Sequence, residues 1–269
     1  LLASSAASDV YKRQRCDRGA VVMEAAPAHK AQEVPDLFRL RQELLFKTYP
    51  VSTVREEQSQ TVGLPRVLEF WDSMPFWSTF FRALGYRVKF SHPSSRRQYE
   101  SGLQYVASDT ICFPAKLVHS HIATLAAQGV DRILMPYVIY ERSEDSKAVN
   151  SYNCPIVSGY SDVVRSVEKL PVPLDTPTVS FRSEKLLRRQ CVDYLRTLGV
   201  DRKTAVKAFR LALNEYRSFT RRMKAADENI VAASRAAGRL TIVLAGRPYH
   251  ADPLIQHKLS DMTASMGVD

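Results

Sequence analysis

The sequence predicts an α/β fold, an open and mostly parallel sheet with helices on both faces, interrupted by an inserted helical segment. Three observations predict it. From about residue 64 to 180, short runs of strand length alternate with amphipathic stretches of helix length. Glycines such as Gly85 and Gly129 close the helical stretches just before the next strand. Residues 181–236 then break the alternation with two long helical patterns.

Taken in order, Arg66–Phe70 reads as the first strand, Pro75–Leu84 as a helix closed by Gly85, and Tyr86–Phe90 as the second strand. A helix over 96–106, a loop over 107–113, a helix over 114–128 and a strand over Arg132–Pro136 follow. After a polar loop, Cys154-Pro155-Ile156-Val157 leads into a helix with Tyr160, Val163, Val164 and Val167 on one face. Of the two long helical patterns, one carries Leu187, Cys191 and Leu195 and the other Val206, Phe209, Leu213 and Tyr216. Leu240–Ala245 reads as a buried strand and a helix as starting near Pro253, so 237–269 is expected to open a second α/β unit. Upstream, 21–63 reads as a linker with a docking helix at Leu37, Leu40, Leu44 and Leu45. Residues 1–20 read as non-native, which sets Cys16 aside, and the whole is expected to be a fragment of a longer protein.

Composition narrows the function. The 269 residues are 45% hydrophobic and 25% charged, an ordinary globular balance, and no apolar run approaches the ~18 residues of a membrane span. The net charge is +10, and residues 181–240 supply nearly all of it, with fifteen Lys and Arg against six Asp and Glu. That stretch reads first as a solvated helical face, since no aromatic residues interleave with the cations as nucleic-acid stacking requires. Nucleic acid is therefore the last-ranked partner. Four cysteines in a chain this long do not form a disulfide framework and point to reduced thiols in a cytoplasmic setting.

In a Rossmann-like sheet of this kind, ligands lie beyond the carboxyl ends of the strands. The loops there are 91–95, 108–116, 137–154 and 246–252, and two carry a cysteine beside a proline, Cys112-Phe113-Pro114 and Cys154-Pro155. A proline at the first helical turn leaves backbone N–H groups facing such a thiol, a setting suited to metal or iron–sulfur ligation. The plain alternative is a small buried hydrophobe. Cys191, on an apolar stripe, reads as packing, and His119 and His121 as satisfied structural histidines. Lys116, Arg247 and His250 are candidate contacts for an anion or substrate, with local capping as the alternative for Arg247 and His250. No Ser-His-Asp elbow, zinc-protease helix or nucleotide-binding fingerprint is present, so the catalytic residues stay unassigned.

The stretches GLPRVLEFWDSMPFWSTFFRALGYRVKFS (63–91), SSRRQYESGL (94–103), DTICFPAKLVHSHI (109–122), YNCPIVSGY (152–160) and LAGRPYHADPLIQH (244–257) are specific. Through them the chain resembles the large activase-related proteins of the 2-hydroxyacyl-CoA dehydratase system, the CoA-substrate-specific enzyme activase family, from about residue 36 onward. The resemblance implies a fusion of ATP-hydrolysing, actin-like activator domains with a dehydratase-component-like region that carries an iron–sulfur cluster. This chain resembles the start of that second region. By the same resemblance Cys112 and Cys154 match cluster cysteines, the cluster is of the 4Fe–4S type, and a further cysteine lies beyond Asp269. ATP belongs to domains outside these residues, which hold no ATP-binding motif. Ser120, where the family has Gly, and Ala251, where it has a larger aliphatic residue, depart from the pattern. The implied function is an iron–sulfur redox component that accepts low-potential electrons from an activator ATPase, with an acyl-CoA as the substrate class. The other reading is a non-catalytic docking scaffold for the activator and its partner.

Overall fold

The computed structural model describes residues 36–268 apart from positions 48, 58, 144, 146, 148 and 168. Residues 1–35, with Cys16, the stretch expected to be non-native and part of the linker, lie outside the described residues. The chain runs α1 (Leu37–Phe46), β1 (Thr61–Leu64), α2 (Phe70–Ala83), β2 (Arg87–Phe90), α3 (Arg96–Gly102), α4 (Phe113–Ala127), β3 (Arg132–Leu134) and β4 (Tyr137–Tyr140). It continues through α5 (Pro155–Val167), β5 (Leu174–Asp175), β6 (Thr178–Ser180), α6 (Glu184–Thr197), α7 (Arg202–Ala236) and α8 (Leu259–Ser265).

The main sheet has the order β2-β1-β3-β5 and every pair in it is parallel. From β1 the chain crosses outward to β2 and then back past β1 to β3. With right-handed crossovers this reversal puts the connecting helices on opposite faces. Gly63 accordingly faces Leu125 of α4, while α2 packs on β1 and β2. The fold is the expected open, mostly parallel α/β sheet. β4 and β6 form a second parallel pair that prolongs β3 and β5. The Met135 amide donates to Asp175 O at 2.8 Å and the Tyr137 amide to Pro177 O at 3.0 Å, so Pro136 and Pro177 interrupt one continuous pair of strands. β4, Tyr-Val-Ile-Tyr, is a strand former in a stretch expected to be loop, and it becomes a strand because β6 takes its backbone groups.

The first strand is Thr61–Leu64, starting five residues before the expected Arg66–Phe70. Pro65 ends the ladder because it has no N–H, and Leu68 turns the chain at φ +48 into a helix that already starts at Phe70. Pro75 therefore lies inside α2 rather than at its start. It cannot bond the carbonyl of Trp71, four residues back, and the Arg41 guanidinium of α1 takes that carbonyl instead, at 2.9 and 3.2 Å. Arg41 also pairs with Asp72 at 3.0 Å, so α1 is tied to α2 and mends a break in it.

The core lies between the sheet, α2 and the inserted pair α6 and α7. Trp71, Phe76, Trp77, Phe80 and Phe81 of α2 are almost fully buried. Phe76 stacks on Phe80 and meets Phe181 and Phe209 edge-on at 5.6 and 5.8 Å, tying the sheet layer to α7. On the other face α3 lies so close to α4 that a Cβ on Gly102 would sit 2.7 Å from the Ser120 amide nitrogen and Cβ. Gly102→Ala is expected to cost about 1–3 kcal/mol by forcing the two helices apart, measured as a lower urea midpoint at unchanged slope.

Leu240–Ala245 does not form the expected strand: it has no ladder partner among the described residues, and Leu240, Ile242 and Val243 are 65%, 44% and 83% exposed. An apolar run becomes a strand only where a neighbour takes its backbone N–H and C=O groups. The helix expected from Pro253 starts at Leu259, after His257 and Lys258 at φ 55 and 58.

Candidate functional site

Of the loops marked out by the sequence, 91–95 bonds the turn 246–252, and 108–116 and 137–154 lie in electrostatic reach of it. Its anchor is a chain of hydrogen bonds buried at the carboxyl ends of β1 and β2. Ser94 Oγ donates to the Asp252 carboxylate and so accepts from His121 Nε2, 3.0 Å away. His121 Nδ1 then accepts from Ser91 Oγ at 2.6 Å, and Ser91 Oγ in turn accepts from the Arg66 amide at 2.9 Å. This assigns His121 as the neutral Nε2–H tautomer with both ring nitrogens satisfied. Its pKa is driven down to about 3, first by burial and then by Arg66 and His92. His121 is the structural histidine the sequence implies. Asp252 also caps its own turn, accepting from the Leu254 amide at 2.8 Å.

Cys112 is the N-cap of α4, exposed, with its carbonyl accepting from the Ala115 and Lys116 amides and Pro114 in the first turn. Cys154 is half-buried immediately before α5, with its carbonyl accepting from Ser158 and Pro155 opening the helix. Two links hold these helix starts in place. His119 Nε2 lies 2.9 Å from the Tyr160 hydroxyl, joining α4 to α5 in the interior, and Ser161 Oγ donates to Met135 O at the end of β3. His119 is fully buried, although it lies off the apolar stripe of its helix.

Tyr249 senses both cysteines through their charge. Its phenol is held above the ordinary range first by burial, then by the charge of Cys154, with Arg247 opposing and Cys112 adding to the rise. Both thiols are thus within electrostatic reach of one phenol. Behind Cys154, Asn153 Nδ2 donates to Glu141 Oε1 at 2.7 Å and to Val138 O at 3.1 Å. The Glu141 carboxyl is pushed up to about 7, chiefly by burial. Glu69, at the start of α2, is 4% exposed and its Oε1 has no hydrogen-bond partner. Its carboxyl is held well above the usual range by burial and then by Glu141 and Cys154, which favours the neutral acid. Glu69 follows Leu68, whose φ of +48 is costly for a leucine, by about 1–3 kcal/mol. The strained residue lies where the strand order reverses, the usual ligand crevice of an open sheet.

The three candidate anion contacts fare differently. Lys116 Nζ is engaged by Asp109 O at 2.8 Å. His250 caps its own turn, its Nδ1 accepting from the Arg247 amide at 2.8 Å, and the ring fits because position 246 is Gly: a Cβ there would lie 2.5 Å from Nδ1. The Arg247 side chain is exposed and close enough to Glu141 to act on its pKa. Cys191 is buried, and burial drives its thiol well upward, in keeping with a packing role. Glu69, Glu141, Ser94 and Asp252 carry no sequence signal that marks them. The one available hint for Asp252 is its place as a helix-capping residue after the turn.

The donor set for a metal or cluster is therefore two thiols at helix N-termini. Among the described residues no group of three or more His, Cys, Asp or Glu side chains is arranged to hold a metal ion. The chemistry of the pair fits a thiolate-ligated cluster, and its number fits only half of one.

No described helix is long and apolar enough to cross a membrane. No curated protein and no solved structure matches the chain. Residues 61–269, from the first strand of the sheet through the turn 246–252 and beyond, match the family described as the CoA enzyme activase uncharacterised domain. By that match, which spans most of its length, the chain belongs to the CoA enzyme activase family.

Proposed function

We propose that the chain is the iron–sulfur redox component of an ATP-dependent acyl-CoA dehydratase or reductase system, taking low-potential electrons from an activator ATPase in the cytoplasm. The observation that carries the reading is that Cys112 and Cys154 each open a helix at the carboxyl edge of the sheet, with Tyr249 in electrostatic reach of both. Cys112 and Cys154 would supply two ligands to a 4Fe–4S cluster, and the remaining ligands would come from outside the described residues. When bound, such a cluster supplies one-electron chemistry whose potential depends on burial and on N–H groups near sulfur. The chain's part is to set those conditions. The thiols stand at the N-termini of α4 and α5, where the helix dipole favours thiolate, and buried Glu69, held toward its neutral form, adds no full negative charge beside Cys154. Exposed Arg247 is placed to receive an anionic group of the acyl-CoA.

Protein of full length, purified without oxygen, is expected to bind iron and to give a low-temperature EPR signal on reduction. Cys112→Ala and Cys154→Ala should each lose that signal, while Cys191→Ala keeps it. Folded wild type without iron would overturn the reading.

The ligand shortfall among the described residues favours a second reading, a docking scaffold for the activator and its partner. It expects the double alanine variant to leave partner binding and activity unchanged.

A further inference from the structure

The charge excess of residues 181–240 has a definite place in the fold. α6 and α7 form an antiparallel pair joined at Leu198–Asp201, and their inner faces are spent on the core through Leu187, Leu195, Phe209 and Ala212. Their other faces border an open groove of about 1500 Å³. Leu186, Val192, Val200 and Val206 give it an apolar floor.

The rims are cationic. Lys185, Arg188, Arg189 and Arg196 stand on the α6 side, and Arg202, Lys203, Lys207 and Arg210 on the α7 side, all of them exposed. The two carboxylates of the groove do little to balance them. Asp193 lies 3.8 Å from Arg196, and Asp201 is committed to capping α7 by accepting from the Thr204 amide. None of the other seven cations forms an ion pair with a described residue. Elsewhere on the same pair of helices most cations are matched, Arg217 with Glu184, Arg222 with Glu215 and Lys224 with Glu228. Like charges three or four residues apart cost the helix about 0.2–0.5 kcal/mol a pair, a cost that an acidic partner along the groove would relieve. Of the unmatched cations on the two helices, seven border the groove and two, Arg221 and Arg235, lie outside it.

We propose that this groove docks an acidic amphipathic helix of a partner protein, with the apolar stripe of that helix on the floor and its carboxylates against both rims. The inference stands apart from the cysteine site and does not depend on it. An apolar floor between two basic rims is the complement of such a helix. Nucleic acid fits less well, since no aromatic residue lines the groove to stack on a base.

The test is fluorescence anisotropy on the full chain with a labelled peptide of about 15 residues, long enough to form a helix, with Leu along one face and Glu on the others. A scrambled peptide of the same composition and a single-stranded DNA of similar length are the comparison probes. The designed peptide should bind at least about tenfold more tightly than either. The charge reversal Arg188→Glu/Arg189→Glu/Lys203→Glu/Lys207→Glu should weaken its binding by at least about tenfold. The neutral pair Arg188→Gln/Lys203→Gln, which carries less risk to folding, should weaken it by about threefold or more, and Arg221→Glu/Lys224→Glu, outside the groove, by less than about twofold. Circular dichroism confirms that each variant keeps its helices. Equal binding of the scrambled peptide, tighter binding of the DNA, or indifference to the groove variants would each overturn the proposal.

Discussion

Phe76→Ala is expected to lower the free energy of unfolding by about 3–5 kcal/mol, which is a third or more of the stability of many domains. Phe76 is fully buried and touches three separate layers: Phe80 in its own helix, Phe181 just after β6, and Phe209 of α7. Removing the ring deletes its transfer free energy and leaves a cavity that three anchored elements cannot collapse into. Phe76→Leu, which keeps most of the volume, should cost less than about 1.5 kcal/mol. Urea denaturation followed by circular dichroism reads both, as a lower midpoint at constant slope. If the alanine variant lost less than the leucine variant, Phe76 would not be the junction of sheet and helical pair.

The second large effect is a pH dependence carried by His121. Its folded pKa is depressed to about 3 by burial, then by Arg66 and His92, against an unfolded value of ~6.5. Between those values the unfolded chain binds a proton that the native protein refuses. Stability from this group is therefore complete above the unfolded value and is lost as pH falls, by up to about 1.4 kcal/mol per pH unit and about 2 kcal/mol between pH 7 and 5. Glu141 acts in the opposite sense. Its folded pKa is raised to about 7, so its contribution is present at low pH and is lost as pH rises through that value. The two partly cancel in the wild type, and the variant separates them. His121→Phe should be less stable at every pH, because Ser91 and Ser94 lose their partner. Its deficit relative to wild type should shrink by about 2 kcal/mol between pH 7 and 5. A deficit that stays constant with pH would mean that the ring is charged or solvated in the native state.

Local signals were enough to read most helices and their ends. Asp36, Ser95, Ser183 and Asp201 cap the helices that follow them, each through its own side-chain oxygen. The cysteine-proline pairs likewise foretold two thiols at helix N-termini. Errors arose where a distant partner decides. The first strand was displaced past Pro65 because Val67 and Leu68 are as apolar as a strand residue, and only the ladder with β2 and β3 distinguishes Thr61–Leu64. Pro75 reads as a helix start until Arg41, thirty residues upstream of Trp71, is seen to take the orphaned carbonyl. The strands β4 to β6 draw their order from each other across prolines.

The sequence by itself determined the fold class, the helical insertion, the family, and the two cysteines and one turn that deserve an experiment. Those follow from periodicity, caps and short motifs, which act over a few residues. Only the tertiary structure decided that Ser94 reaches Asp252 through 158 positions of chain, that Glu69 is a buried acid with Oε1 unpartnered, and that most unmatched cations of α6 and α7 border one groove. Burial and charge at a point are sums over everything packed around it, and that sum exists only once the chain has closed on itself.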